Sequence, residues 1–301
     1  MESANRPYLA FVLRLGAALT FTLMFMMVKL ASESGVKLQE ILFWRQAMTA
    51  PVLYVWLASH GALHRLRTRR LGAHALRAGV GLTNLAIIFT ATALLPLAET
   101  TTLGFAAPLF AVVIAAMVLN EQIGPWRWSA VLLGFAGVLV IAQPGGGGHV
   151  DALGTTLALV GALLMAVINF QIRDLGRSEE AICIVFWFGL FGAIVTALAL
   201  PFYITPHNSH QWLLLGGVGL TGLIGQLMMT GSLRFGSVAS VIVMDYSSLV
   251  WATLLGWLVW NHLPPAATFI GAPLIVAAGI VIFWREHLLA RSIAISPLVA
   301  D

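Results

Sequence analysis

Charge is the property that this sequence has least of. Acidic and basic residues make up 9% of its 301 residues, whereas a soluble globular domain carries about 25%. So few charged side chains cannot cover the surface of a water-soluble protein. Cysteine is scarcer still, because the single Cys183 leaves no second thiol for an intramolecular disulfide. The arginines adjoin apolar segments instead of covering a soluble domain, so we expect no nucleic-acid partner.

Long apolar runs take the place of the missing charge. Hydrophobic residues make up 59% of the chain, and their runs of about twenty residues lack the period-two alternation of barrel strands. The first run is too long for a typical signal peptide and is interpreted as a span. We predict an all-α polytopic membrane protein with ten transmembrane helices, near 9–30, 39–59, 76–95, 97–119, 126–143, 152–172, 181–200, 211–233, 237–260 and 265–284.

The loops between these spans differ in their positive charge. With the N-terminus in the cytoplasm, twelve arginines lie in or at the edge of the tails and even-numbered loops, and only Lys29 and Lys37 lie on the opposite side. This bias satisfies the positive-inside rule. We therefore expect both termini to be cytoplasmic, in a plasma membrane of the bacterial inner-membrane type.

A short motif occurs twice in the chain. Residues 79–85 (GVGLTNL) return as residues 217–223 (GVGLTGL), with six of seven positions identical. A glycine-rich linker at 144–151 separates a predicted first repeat, 1–143, from a second, 152–301. Five spans in each repeat force the second copy to be inverted relative to the first. Inverted repeats are typical of secondary transporters that work by alternating access.

Four features together resemble one transporter family. They are the ten helices in two inverted repeats, the glycine-rich starts of spans three and eight, Pro108 within span four, and Asn120-Glu121 at its end. In these the sequence resembles the EamA family of the drug/metabolite transporter superfamily, and within it amino-acid exporters of the YddG type. The resemblance implies export of amino acids and related metabolites. The two halves differ where Glu121 is matched by His262 and Pro108 by Tyr246.

Three charged residues lie five or more positions inside the predicted spans. An ionisable group at membrane depth costs about 2.5–3.5 kcal/mol, so each should face the bundle interior, a partner or water. Asp245 in span nine is either a proton or substrate-amine site or the structural partner of an arginine. Arg45 in span two can pair with an acid or hold a substrate carboxylate through two parallel hydrogen bonds. Arg14 in span one is expected to snorkel to the cytoplasmic interface.

Three amide side chains also lie within spans, and each needs a hydrogen-bond partner there. Asn84, Asn169 and Gln226 can contact a zwitterionic substrate or join helices, at about 0.6 kcal/mol per contact. Asn84 belongs to the duplicated motif, but its counterpart in the second copy is Gly222. This asymmetry favours a substrate role for Asn84.

Pro108 interrupts span four. A proline removes one backbone hydrogen bond and clashes with the carbonyl four residues earlier, here that of Gly104. We predict that spans four and nine are equivalent elements that line one cavity, with packing alone as the alternative. The predicted cavity walls are apolar and aromatic: Phe105, Met244, Tyr246 and Trp251.

The remaining observations concern assembly and reaction class. Small residues in spans five and ten suit helix packing within the chain first and a homodimer second; they are Ala130, Gly134, Gly137, Gly271 and Ala278. Catalytic spacing is missing, and Cys183 has no histidine near it in the sequence, so we do not expect an enzyme.

The sequence therefore predicts a secondary transporter, monomeric or homodimeric, that exports small metabolites, above all amino acids including aromatic and apolar ones. The alternatives are export of nucleosides, sugars or cationic drugs such as quaternary amines, and a channel or membrane scaffold. A gradient is the expected energy source, because the sequence contains no nucleotide-binding domain. We expect no metal, nucleotide or covalent cofactor.

Overall fold

The computed structural model describes residues 7–117, 124–142, 151–235 and 243–295. Every regular element in these ranges is helical, and they contain no strand, which confirms the all-helical prediction. The α-helices of the described residues are α1 (Pro7–Glu33), α2 (Leu38–Ala47), α3 (Thr49–Ser59), α4 (Leu71–Leu94), α5 (Leu97–Gly104), α6 (Ala107–Met117), α7 (Pro125–Ala142), α8 (Ala152–Leu175), α9 (Ala181–Ala199), α10 (Ser209–Phe235), α11 (Ser247–Trp260) and α12 (Ala266–Ile295). Short 3-10 turns lie at Leu63–Leu66, Leu200–Phe202 and Val243–Tyr246.

Seven helical segments in the described ranges are long and apolar enough to cross a bilayer. One of them, Leu97–Met117, comprises α5 and α6. The apolar part of α12, Ala266–Ile282, is shorter than a full span. A protein that crosses the membrane several times is thus supported, and ten spans stay a prediction. Asn120, Glu121 and residues 144–150 of the predicted linker lie outside the described residues.

Two predicted spans are each divided into two helices by a proline. Pro51 cannot donate a backbone hydrogen bond to the carbonyl of Ala47, and α2 ends at Ala47. Pro108 stands in the same relation to Gly104, where α5 ends. The interruption predicted at Gly104 is present, and span two contains a second one. Arg45 lies in the last turn of α2, directly before that second break.

Helices from the two halves of the chain pack against each other in a reciprocal order. α1 contacts α10, and α4 contacts α8. In the predicted repeats, each of these contacts joins the first span of one copy to the third span of the other. α2 packs on α9, α5 on α11 and α7 on α12, which pairs equivalent spans. Two interlocked copies of one unit related by a two-fold axis would produce this pattern.

Glycines allow the contact between α7 and α12. A Cβ atom on Gly137 would lie 2.7 Å from the carbonyl oxygen of Gly271, and one on Gly271 would lie 2.6 Å from the carbonyl oxygen of Gly137. Ala130 and Ala278 are buried on the same two helices. The small-residue faces predicted in spans five and ten therefore pack against each other within the chain.

The duplicated motif has the same role in both of its copies. A Cβ atom on Gly81 of α4 would lie 2.7 Å from the ring of Phe188 in α9. One on Gly219 of α10 would lie 2.8 Å from the backbone carbonyl oxygen of Trp44 in α2. Each motif lets the third span of one predicted repeat approach the second span of the other, and any side chain at these positions would separate the helices.

Large apolar side chains cover much of the outer surface. Leu132, Leu213 and Phe269 are each more than half exposed. Beneath them, the largest buried cluster consists of alanine, leucine, valine and isoleucine side chains from α4 to α8 and from α12. Exposing so large an apolar surface is unfavourable in water but not in lipid, so the surface is that of a membrane protein.

Candidate functional site

Asp245 forms an ion pair with Arg14. Asp245 lies in the 3-10 turn before α11, and its two carboxylate oxygens accept hydrogen bonds from Nε and Nη2 of Arg14 in α1, each at 2.5 Å. The Arg14 side chain is 9% exposed and that of Asp245 42%. Of the two roles considered for Asp245, pairing with an arginine is the one present in this conformation. Arg14 does not snorkel as predicted, because the carboxylate of Asp245 holds its guanidinium within the protein.

A second arginine, Arg45, lies in a different environment. It is 5% exposed, and its guanidinium carbon lies 5.6 Å from the centre of the Phe188 ring. Arg77 of α4 lies over the same ring at 4.6 Å. Arg45 donates a hydrogen bond to the side-chain oxygen of Gln46, whose amide donates to the backbone carbonyl of Phe188 at 3.3 Å. We call Arg45, Gln46, Arg77 and Phe188 the cationic cluster.

The cationic cluster has no acidic partner in the described part of the chain. No carboxylate there pairs with Arg45 or Arg77, and the buried Nε atom of each lacks a hydrogen-bond partner. Contact between a cation and an aromatic ring stabilises by about 0.5–2 kcal/mol, which is less than the several kcal/mol that burying a charge costs. A carboxylate bound by both guanidinium groups would offset this cost.

The helix α4 supplies two of the polar groups in this region. Arg77 is the second residue of the predicted third span, and because α4 begins at Leu71, it lies in the second turn of that helix. Asn84 is on the same helix face two turns later. It is 6% exposed, and its side-chain oxygen has no hydrogen-bond partner among the described residues. A Cβ atom on Gly161 of α8 would lie 3.5 Å from that oxygen.

The other two predicted amide positions differ from Asn84 in their exposure. Asn169 is exposed on α8, and Gln226 is half-buried on α10. Asn84 is therefore held inside the protein, whereas Asn169 is not.

Spans four and nine meet at two aromatic rings. Phe105, at the break between α5 and α6, and Tyr246, directly before α11, have ring centres 4.9 Å apart and planes at 74°. Met244 and Trp251 are half-buried on either side of Tyr246 in the sequence, and Pro108 is half-buried at the start of α6. The residues predicted as cavity walls thus lie on helices that pack against each other.

Two buried carboxylates went unrecognised in the sequence. Glu99 in α5 is 2% exposed, and one of its oxygens has no hydrogen-bond partner among the described residues. Glu40 in α2 is 0% exposed, accepts a hydrogen bond from the backbone N–H of Thr205 at 2.8 Å, and pairs with His207. Both glutamates lie in the first residues of predicted spans, where an acidic residue looks interfacial. Depth within a span selected Asp245 and passed over both glutamates, because each lies within the first three residues of its span.

Two cavities lie apart from the Arg14–Asp245 pair and the cationic cluster. A cavity of about 240 Å³ between α1, α2 and α4 is mostly apolar, with Ile41 and Phe89 in its wall. An open groove of about 1000 Å³ lies beside the loop that precedes α4, and its lining includes Glu179 and Trp187. We call the end of the bundle at this groove the basic end, after four residues of that loop: Arg65, Arg67, Arg69 and Arg70.

Several known membrane transporters are similar to this chain. The pseudopaline exporter CntI of Pseudomonas aeruginosa is 30% identical, covering 88% of this chain and 93% of its own length. The riboflavin transporter of Vibrio cholerae is 26% identical, with coverage of 92% and 93%. The S-adenosylmethionine uptake transporter of Rickettsia prowazekii is 25% identical, with coverage of 82% and 83%.

The fold and the family are also shared with known proteins. A solved crystal structure that is 23% identical superposes with a TM-score of 0.60, over 96% of this chain and 99% of the other, and so has the same fold. The model of the EamA-like transporter family matches residues 8–143 and again residues 152–284. Because these two matches span most of the sequence, the chain is a multi-pass membrane protein that belongs to the EamA-like transporter family.

Proposed function

We propose that this chain is a secondary transporter that exports amino acids, including aromatic and apolar ones, across a bacterial-type inner membrane by alternating access. Membership of the EamA-like transporter family supports transport of a small molecule. The cationic cluster supports an amino-acid substrate, and the reciprocal packing of the two halves supports alternating access.

The cationic cluster is the observation that carries the substrate class. Arg45 and Arg77 share one aromatic ring, and the described residues offer neither of them a carboxylate. A substrate carboxylate would supply the missing acid and accept two parallel hydrogen bonds from Arg45. The ring of Phe188 lies directly beside this position and suits contact with an apolar or aromatic substrate side chain.

An amino acid also needs an acceptor for its amine. The buried oxygen of Asn84 is an acceptor without a partner among the described residues, on the helix that carries Arg77. Asp245 is the candidate for proton coupling: its carboxylate is held by Arg14 in this conformation, and it becomes free to take up a proton if that pair opens. The walls formed by Phe105, Met244, Tyr246, Trp251 and Pro108 would then border the substrate path.

Several features support movement of two repeats against each other. The family model matches the chain twice, and the predicted repeats, 1–143 and 152–301, interlock through reciprocal helix contacts. Inverted repeats place a substrate site between the copies, and rocking of the copies exposes it to each side in turn. The positive-inside bias supports cytoplasmic termini.

The relatives leave the substrate and the direction open. They are named for pseudopaline export, riboflavin transport and S-adenosylmethionine uptake, so family membership alone does not select an amino acid. Another metabolite, such as a nucleoside or a sugar, is the alternative. A cationic drug fits less well, because two guanidinium groups with no carboxylate partner among the described residues would repel it.

Uptake into proteoliposomes of the purified protein tests this proposal. Labelled aromatic, apolar and charged amino acids are compared with and without an imposed pH gradient. We expect saturable flux of an aromatic or apolar amino acid. Loss of the charged hydrogen bonds in Arg45→Gln should raise the half-saturating concentration about 10- to 100-fold, since such bonds contribute about 1.5–3 kcal/mol. Arg45→Lys keeps the charge but loses the paired geometry and should be intermediate.

Arg173→Gln is the matched control, because Arg173 is exposed in the last turn of α8 and should leave flux unchanged. Flux that rises with substrate concentration without saturating would indicate a channel and not a transporter. Flux of a nucleoside or sugar, with none for any amino acid, would refute the amino-acid substrate and leave the family intact. Unchanged half-saturation in both Arg45 variants would refute the carboxylate site.

A further inference from the structure

Three side chains of types that bind metal ions in other proteins meet at the basic end, in a place that the transport scheme does not use. His74 lies in the first turn of α4, Glu179 lies two residues before α9, and Cys183 lies in the first turn of α9. One ligand atom from each, a ring nitrogen, a carboxylate oxygen and the sulfur, lie within 4.8 Å of one another. In the sequence Cys183 has no histidine beside it, and the packing of α4 on α9 supplies one.

The imidazole of His74 is buried and has no hydrogen-bond partner among the described residues. His74 is 1% exposed, and neither of its ring nitrogens has a hydrogen-bond partner among the described residues. A buried imidazole without partners loses the hydrogen bonds that water would offer, at a cost of about 1–3 kcal/mol. Its Nε2 atom lies 4.0 Å from Oε2 of Glu179, which is too far for a hydrogen bond.

The spacing suits an ion placed between the three groups. Oε2 of Glu179 lies 3.4 Å from Sγ of Cys183 and 4.0 Å from the His74 nitrogen. In a tetrahedral zinc site, metal–ligand distances of about 2.0–2.3 Å put neighbouring ligand atoms about 3.3–3.7 Å apart. The sulfur–oxygen distance of 3.4 Å is close to this value, and the His74 nitrogen would have to approach the carboxylate oxygen by about 0.5–0.7 Å.

We propose that His74, Glu179 and Cys183 bind a divalent, borderline-soft metal ion such as Zn²⁺. One thiolate and one carboxylate balance the charge of the ion, so the buried site becomes neutral. Nitrogen, sulfur and oxygen ligands together select Zn²⁺ over Mg²⁺ or Ca²⁺, which prefer oxygen alone. Glu179 also lines the open groove, so the ion can enter from there and hold a water molecule in the fourth position.

A neighbouring hydroxyl orients the carboxylate. Thr68 Oγ1 donates a hydrogen bond to Oε1 of Glu179 at 2.6 Å, which leaves Oε2 directed at His74 and Cys183. Partners of this kind fix the orientation of a metal ligand, and their loss weakens metal binding about 10- to 100-fold. Thr68 is therefore a positioning residue of the site.

The site joins the two halves of the chain. His74 belongs to the first half, whereas Glu179 and Cys183 belong to the second. Ion pairs of Arg65 with Glu180 and of Arg70 with Asp174 cross between the halves beside it. A bound ion would hold α4 to α9 and slow any movement that separates them.

Titration of the purified full-length protein with ZnCl₂ in detergent tests the binding and needs no knowledge of the transported substrate. We expect one high-affinity Zn²⁺ per chain. The affinity should fall at least about tenfold in each of three variants, Cys183→Ser, His74→Gln and Thr68→Val. CoCl₂ should give the near-ultraviolet absorption band of a thiolate–cobalt bond, and Cys183→Ser should abolish it. His60→Ala is the matched control, since His60 is exposed in a neighbouring segment.

A second measurement uses the wild-type chain alone. Cys183 is the only cysteine in the sequence, so alkylation by a membrane-permeant maleimide reports on this thiol. We expect Zn²⁺ to slow alkylation severalfold and a chelator to restore the rate. Alkylation that Zn²⁺ does not change, or wild-type Zn²⁺ affinity in a folded Cys183→Ser variant, would overturn the proposal.

Discussion

Removing Asp245 from its ion pair with Arg14 should lower the stability more than removing Arg14. In Asp245→Asn, the guanidinium of Arg14 loses both of its carboxylate contacts while its side chain stays 9% exposed. In Arg14→Gln, the carboxylate that remains is 42% exposed and water can solvate it. The asparagine variant should therefore be the less stable of the two.

The magnitude follows from how far each charge is removed from water. Breaking a fully buried ion pair by removing one partner costs about 3–5 kcal/mol, and exposed pairs contribute about 0–1 kcal/mol. This pair is half-buried, so we expect a loss of about 2–3 kcal/mol for Asp245→Asn and about 1 kcal/mol for Arg14→Gln. The double variant contains no stranded charge and should be more stable than Asp245→Asn alone, with a coupling of about 1–2 kcal/mol.

The assay combines unfolding of the detergent-solubilised variants with flux in proteoliposomes at several pH gradients. If Asp245 carries the coupling proton, Asp245→Asn and the double variant both lose the response to the gradient and keep substrate exchange. If the pair is structural only, stability and flux fall together, and the double variant recovers both. A larger loss for Arg14→Gln than for Asp245→Asn, or additive losses in the double variant, would refute the reasoning from burial.

Three further predictions concern the scaffold. Gly137→Ala should lower the stability by about 1–3 kcal/mol, because the new Cβ would lie 2.7 Å from a backbone carbonyl oxygen of α12. The control is Gly79→Ala, whose Cβ would have no atom within 4 Å and which should be neutral or stabilising by up to about 1 kcal/mol. Equal melting temperatures for the two variants would contradict this prediction. Pro108→Ala should keep or raise the melting temperature while flux falls severalfold, because the interrupted helix can then close; undiminished flux would show that the break has no role in transport. Glu40→Ala should cost about 1–3 kcal/mol in unfolding measurements, since the backbone N–H of Thr205 loses its acceptor, and an unchanged melting temperature would mean that water replaces the carboxylate.

Composition and pattern were sufficient for the class of protein and its internal plan. With 9% charged residues and 59% hydrophobic ones, the chain has only lipid as a compatible solvent, and lipid forces the backbone to form its hydrogen bonds within helices. The return of the motif at 79–85 as 217–223 indicated two related units, and the family model matches twice. The helix break at Gly104 could be predicted from Pro108 alone, because a proline disrupts the hydrogen bond to the carbonyl only four residues earlier.

Partnerships between distant residues could not be inferred in this way. Arg14 meets Asp245, and Arg45 meets Arg77 at one ring, because α1 and α11, and α2, α4 and α9, pack in a particular order and rotation. The sequence predicts that Arg14, Arg45 and Asp245 lie inside spans, but the identity of each neighbour depends on which helix face lies opposite. The same holds for His74 and Cys183, which are far apart along the chain and share a site only because α4 packs on α9. Helix formation is a local property of the chain, whereas the meeting of side chains depends on contacts summed over the whole bundle.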